Sequence, residues 1–238
     1  MITLKVYFIG FGPGDPELLT VKAYKILKQA DLIIYPGSLI DERSLEEFNG
    51  KKVNSYGMKL EDIVELIESN VKAGKVVARI VSGDPSIFSA LNEQIVELEK
   101  RGIECEVIPG VSSVFSASAA LKTELTIPSV SHAVVILRPA GRTLDKDYLE
   151  EFARIPCTLV ILLGVDKIEE IAERVGKIRG WDEPVAVVYH ASREDEKVIR
   201  GTLGDIAKKV EKEGIRRTAV IIIGKVLERK GGRSVLYA

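Results

Sequence analysis

The sequence predicts an α/β protein made of two α/β domains with mostly parallel or mixed sheets. Apolar runs of strand length alternate with helical patterns along most of the chain, which is the signature of helices packed on sheets. Several runs are continuous and β-branched (VVARIV, TLVILL, AVIII), as strands buried on both faces of a parallel sheet are. The pattern breaks near residues 113–118 (SVFSAS), leaving each half with its own strands. The expected domains are therefore residues 1–115 and 116–238, with a single large sheet as the competing reading.

The elements follow in order. Leu4–Gly10 reads as the opening strand. Lys5 is its only cation and no small-residue cleavage site follows Gly10, so a buried strand is expected and not a signal peptide. Strands are also expected at Leu32–Tyr35, Val76–Ser82, Glu104–Ile108, Ala133–Leu137, Thr158–Leu163, Val185–Tyr189 and Ala219–Val226. Helices are expected at Glu17–Gln29, Leu60–Ala73, Ser86–Arg101, Ser112–Leu121, Asp166–Val175 and Leu203–Lys212. The second has a clear period: Leu60, Ile63, Val64, Ile67 and Val71 form one face, with Glu61, Asp62, Glu65 and Glu68 mostly opposite.

Composition narrows the function. The chain has 238 residues, 34 Lys+Arg and 35 Asp+Glu, for a net charge of -1. That balance argues against bulk nucleic-acid binding. No apolar run reaches the ~18–20 residues of a membrane span. The two cysteines, Cys105 and Cys157, form no disulfide framework and lack CxxC or His spacing. No metal site is expected, and the cytoplasm is the expected location. Residues 1–116 hold 13 Lys+Arg and 17 Asp+Glu, a net of -4, while residues 117–238 hold 21 and 18, a net of +3. An anionic ligand is better served by the second half.

Three glycine turns each follow a strand and precede a helical pattern. The first, Gly10-Phe11-Gly12-Pro13-Gly14-Asp15-Pro16, departs from the dinucleotide pattern because Asp15 stands where the third glycine belongs. Pro13 removes a backbone N–H from the loop tip, and no Lys-Ser/Thr follows, so a phosphate loop of either kind is a poor fit. The second turn is Ser82-Gly83-Asp84-Pro85. Asp suits a helix N-cap and Pro the first helical position, so Asp15 and Asp84 are read as helix starters, Asp84 with room for a further role. The third is Pro109-Gly110-Val111-Ser112-Ser113, where either serine could cap the next helix. Together the turns offer backbone donors and small side chains at the strand edge where α/β proteins gather ligands. They hold no cluster of cations. That suits an uncharged or zwitterionic ligand, such as a nucleoside bearing an amino acid.

GFGPGDPELLT, SGDPSIF and PGVSSVFSA, in this order and spacing, resemble the tetrapyrrole methylases that use S-adenosylmethionine. The likeness runs along essentially the whole chain. YPGSLI, YGMKLED, ELTIPSVSHAVVILRPAGRT, YHASREDEKVIRGTL and GIRRTAVIIIG narrow it to the members acting on precorrin-4 at C11, with or without cobalt. The resemblance implies two α/β domains with the cofactor in a cleft between them, and a homodimer. It implies cofactor contacts at Pro13, at Ser82, Gly83 and Asp84, and at Ile87 one turn into the next helix. It also implies contacts at Ser112 and Ser113, at Leu163, at Ala191 and at Ala219. Pro36-Gly37 departs from the Ala-Asp expected in relatives, which puts one tetrapyrrole contact in doubt.

Transfer of a methyl from a sulfonium to a nucleophilic ring carbon needs mainly alignment of carbon, methyl and sulfur. No Ser-His-Asp or Cys-His arrangement stands out, and no catalytic residue is assigned. His190 ends a strand near Ala191 and could approach the site, although a packed or solvated histidine is the plainer reading; His132 reads as a loop residue. The substrate's acetate and propionate groups suit arginines, and Arg138 and Arg142 in RPAGRT are the leading candidates, with Arg193 behind them. Tyr35, Ser38 and Met58 lie near loops that could wall the tetrapyrrole. Alternatives are a uroporphyrinogen-III or other precorrin C-methyltransferase, and diphthine synthase, which has the same fold and methylates a protein. A dinucleotide oxidoreductase and a non-catalytic binding protein fit the turns less well.

Overall fold

Alternate residues of the opening strand serve two different cores, because successive side chains point to opposite faces of a sheet. Val6 and Phe8 pack on one face and Ile9 on the other. The computed structural model describes residues 4–141, 144–228 and 230. These divide into two compact units, residues 1–113 and 114–238.

The first unit holds β1 (Lys5–Gly10), β2 (Leu32–Tyr35), β3 (Lys51–Asn54), β4 (Val77–Val81) and β5 (Glu104–Ile108), all parallel, in the order β3-β2-β4-β1-β5. Helix α1 (Val21–Gln29) puts Ala23 and Leu27 against Ile9, Ile33 and Ile80 on one face. Helices α2 (Leu60–Lys72) and α3 (Leu91–Glu99) cover the other, with Ile63, Val64, Ile67, Val71 and Leu98 against Phe8, Leu32 and Ile34. The chain thus leaves β1 for one face and leaves the adjacent β4 for the opposite face. That divergence is a topological switch point, the place where open α/β sheets bind ligands.

The second unit holds α4 (Ser113–Leu121, beginning at the boundary residue), β6 (Val134–Leu137), α5 (Leu149–Ala153), β7 (Thr158–Ile161), α6 (Ile168–Arg179), β8 (Pro184–Tyr189), β9 (Lys197–Thr202), α7 (Ile206–Lys212) and β10 (Ala219–Ile223). Its sheet is mixed, in the order β6-β7-β10-β8-β9. β6 and β7 are parallel, while β10 runs antiparallel to both β7 and β8, and β9 antiparallel to β8. α4 covers one face through Val114, Ala117 and Leu121. α5, α6 and α7 cover the other through Leu149, Ile171, Val175, Ile206 and Val210.

The structure corrects several expected boundaries. β3 (KKVN) and β9 (KVIRGT) are edge strands, largely exposed. Edge strands carry cations and no continuous apolar run, so neither shows as a strand in the sequence. α5 is also absent from the expected elements. The helix expected from Glu17 begins at Val21, capped by Thr20, after a short 3-10 turn over Pro16–Leu18. The helix expected from Ser86 begins at Leu91. Phe88 (φ 50°) and Ala90 (φ 55°) are left-handed, a conformation that cannot continue an α-helix.

Candidate functional site

In the first unit the three glycine turns meet backbone to backbone. Phe11 N–H donates to the Val81 carbonyl at 2.8 Å, Gly12 N–H to Gly83 at 3.2 Å, and Gly83 N–H to Gly12 at 2.7 Å. A Cβ on Gly10 would lie 2.5 Å from the Gly110 nitrogen and 2.7 Å from the Gly83 oxygen. One on Gly110 would lie 2.4 Å from that oxygen. Real Cβ atoms do not approach backbone so closely, so both positions require glycine. Gly12 (φ 77°) and Gly83 (φ 67°) are also left-handed, which glycine adopts without steric cost.

Asp84 fastens this junction. Its Oδ2 accepts from Gly110 N–H at 2.9 Å, and its Oδ1 accepts from Ser86 N–H at 2.8 Å and from the Ser86 hydroxyl. Burial raises its pKa, but the bonds from Ser86 and Gly110 outweigh that and hold the carboxyl below its ordinary value. Asp84 therefore does not cap α3, as expected from the sequence; it links the second turn to the third. Asp15 does cap, by accepting from Glu17 N–H at 2.8 Å, but it starts only the 3-10 turn. Pro13, Gly83 and Ser112 are buried, and Ser82, Ile87 and Ser113 half-buried. Ile87 lies in the loop before α3, not one turn into the helix. The junction draws Pro13, Ser82, Gly83, Asp84, Ser112 and Ser113 to the carboxyl ends of β1, β4 and β5.

In the second unit the carboxyl ends of β6, β7 and β8 share one edge with the start of β10. Ala219 pairs with Tyr189, and His190 N–H donates to the Thr218 carbonyl at 3.1 Å. Arg138 follows β6, Leu163 follows β7, and His190 and Ala191 follow β8, so Arg138, Leu163, Ala191 and Ala219 stand along this edge. Ala191 and Ala219 are buried, whereas Leu163 is 59% exposed and left-handed (φ 54°). An exposed leucine held in a strained conformation is a feature that functional sites concentrate. Arg138 is half-buried; Arg142 lies outside the described residues.

His190 is left-handed too (φ 47°), stacks on Tyr189 with ring centroids 3.7 Å apart, and places Nδ1 2.8 Å from Asp195 Oδ2. The bond to His190 holds the Asp195 carboxyl below its ordinary value. The sequence reading missed this partner, because a pair five residues apart on a turn has no periodic signal. Among the described residues no group of three His, Cys, Asp or Glu could hold a metal ion. Nor, among them, is any helix long and apolar enough to cross a membrane.

Comparison with known proteins gives the family and the fold. The profile of the family Tetrapyrrole (Corrin/Porphyrin) Methylases matches residues 5–207. A cobalt-precorrin-4 C(11)-methyltransferase of Methanocaldococcus jannaschii is 51% identical over 233 residues, 95% of this chain and 89% of the relative. The X-ray structure of a cobalt precorrin-4 methyltransferase superposes with a TM-score of 0.90 at 37% identity, over 94% of this chain and 96% of that one. A uroporphyrin-III C-methyltransferase of Thermus thermophilus, in complex with S-adenosylhomocysteine, gives a TM-score of 0.82 at 35% identity, over 95% and 100%.

Proposed function

This chain belongs to the tetrapyrrole methylase family, and from that premise we propose that it transfers a methyl group from S-adenosylmethionine to C11 of precorrin-4 or cobalt-precorrin-4. The observation that carries the reading is the 51% identity to the M. jannaschii enzyme along 95% of the chain.

The glycine junction fits such a cofactor. The three turns contain no Lys or Arg, and their one well-placed carboxylate already accepts from Gly110 N–H. The donors left are backbone groups and small side chains. A ligand with a nucleoside, an amino acid and no phosphate matches that set. We assign cofactor contacts to Pro13, Ser82, Gly83, Asp84, Ile87, Ser112 and Ser113 at this edge. At the edge of the second unit we assign Leu163, Ala191 and Ala219, the first exposed and the other two buried at the strand ends.

When bound, S-adenosylmethionine supplies an activated electrophilic methyl. The protein's task is then to orient. Rigid turns closed backbone on backbone hold position without side-chain rearrangement, and orientation of this kind supplies ~7 kcal/mol or more of a barrier in favourable cases. Arg138 and Arg142 are assigned to the substrate's carboxylates, whose planar geometry an arginine fork matches. We take the working protein to be a homodimer, as the family resemblance implies, and cytoplasmic, as its cysteine usage implies; sedimentation of the purified chain tests the first part.

The deciding experiment is incubation with S-adenosylmethionine and either uroporphyrinogen III, precorrin-4 or cobalt-precorrin-4, read by mass spectrometry and NMR of the product. One methyl added at C11 of either precorrin-4 form is expected. Methylation of uroporphyrinogen III alone would transfer the assignment to the activity of the Thermus relative.

A further inference from the structure

The segment between β6 and α5 carries Arg138 and Arg142, and its described residues are held by several contacts. Pro139 is buried against the turn that follows Leu163: a Cβ on Gly164 would lie 2.8 Å from Pro139 Cγ. Gly141 and Leu144 exchange two backbone hydrogen bonds, at 2.7 and 3.1 Å, with Arg142 between them in sequence. Asp147 is 2% exposed in its side chain. One of its oxygens accepts from Ala140 N–H at 2.6 Å and the other from Leu149 N–H at 3.1 Å. Both also accept from Arg174 of α6, at 3.1 and 2.5 Å. Lys167 adds a bond from its Nζ to the Ala140 carbonyl.

Arg174 is held in turn. Its Nε and Nη2 reach the two Glu150 oxygens at 2.6 Å each, and its Nη1 lies 3.1 Å from Glu170. One guanidinium thus fixes a buried carboxylate that spans the loop from Ala140 to Leu149. A buried ion pair is weak evidence for stability, because the desolvation of both charges offsets their attraction. Well-packed apolar residues would serve folding as well. What the pair does here that an apolar contact would not is set the direction of two backbone N–H groups, and with them the course of the loop.

We propose that Asp147 and Arg174 are positioning residues for the tetrapyrrole: the pair presets the backbone at Ala140, two residues beyond Arg138, and with it the presentation of Arg138 to the substrate's carboxylates. A loop ordered in advance loses less freedom when the substrate binds, so the pair acts on affinity for the tetrapyrrole and not on the chemical step. This rests on the reading of Arg138 and Arg142 as tetrapyrrole ligands.

Steady-state kinetics with precorrin-4, melting curves and S-adenosylhomocysteine titration of six proteins test it: wild type, Arg138→Ala, Arg142→Ala, Asp147→Asn, Arg174→Gln and Arg174→Lys. Asp147→Asn and Arg174→Gln are expected to raise the KM for the tetrapyrrole roughly tenfold, with kcat and cofactor affinity near wild type. Arg174→Lys keeps the cation, loses the fork, and should show a smaller rise and a smaller fall in melting temperature than Arg174→Gln; it remains informative if the other two fold poorly. Wild-type KM in both arginine loop variants would remove the parent reading and the proposal with it. Raised KM in those two, but wild-type KM in Arg174→Lys and in whichever of Asp147→Asn and Arg174→Gln folds, would overturn the proposal alone and leave the pair a structural clamp.

Discussion

Asp84 makes bonds at both ends of the cofactor question, because the Gly110 N–H it accepts from belongs to the third turn. In Asp84→Ala that half-buried donor loses its partner, which costs on the order of 1 kcal/mol. The turns would also lose their register, so S-adenosylhomocysteine affinity should fall at least tenfold, read by calorimetry. A drop in melting temperature with unchanged affinity would reduce Asp84 to a fold contact. Asp147 allows a pH prediction. The Arg174 hydrogen bonds, helped by Ala140 and Leu149 N–H and opposed by burial, hold its carboxyl at about 2, against about 3.9 in an unfolded chain. The folded value is depressed, so the contribution to stability is fully present above pH ~4 and is lost as pH falls towards ~2. It amounts to roughly 2 kcal/mol. Urea melts of wild type and Asp147→Asn should therefore differ most near neutral pH and converge between pH 4 and 2; a constant difference would contradict the cause given. At this scale the sequence was informative only where chemistry is local. Asp-Pro correctly suggested a cap at Asp15, but at Asp84 the same dipeptide bonds to a residue 26 positions away, a partner no local pattern reveals.

The glycine turns were legible because three strand-glycine-helix passages recur, and their positions at the carboxyl ends of β1, β4 and β5 follow from the parallel order. What could not be read was how tightly they close. The left-handed Phe88 and Ala90, which delay α3 to Leu91, are ordinary residues in an uncommon conformation, and the Ser-Ile-Phe-Ser-Ala stretch has enough helical character to look continuous. β3 and β9 escaped for the opposite reason: their lysines and arginine sit at sheet edges, where half of each strand faces water. Closure of the junction makes a prediction at the level of the turn. Gly110→Ala would place a methyl 2.4 Å from the Gly83 oxygen. Backbone on that side cannot yield without breaking the Gly12–Gly83 pairing, so destabilisation of ~1–3 kcal/mol is expected from overpacking, together with loss of S-adenosylhomocysteine binding. Native melting with native affinity in that variant would show that the three turns can separate freely.

Across the whole chain, charge and chemistry divide in the same way. The turns of the first unit hold no cation, and residues 1–116 carry a net of -4; the segment with Arg138 and Arg142 lies in residues 117–238, with a net of +3. A cofactor without phosphate, bound by backbone and small side chains, has little to lose to salt. A polyanionic tetrapyrrole, if bound by arginines as proposed, has much to lose, because the screening length shrinks from about 10 Å at 0.1 M to about 3 Å at 1 M. Raising salt over that range should therefore increase the KM for precorrin-4 severalfold, while the Kd for S-adenosylhomocysteine stays within about twofold. Calorimetry should likewise show no binding of NAD or ATP, whose phosphates meet Asp15 and Asp84 and no lysine. The effect on KM should leave kcat at saturation in place, since a charge contact made equally in ground and transition states changes affinity and not the chemical step. Arg138→Ala should both raise KM and flatten its dependence on salt, because the screened contact is already gone. If salt instead weakened cofactor binding as steeply as it raised KM, the cations would serve the cofactor, and the separation of an uncharged cofactor edge from a cationic substrate loop would be wrong.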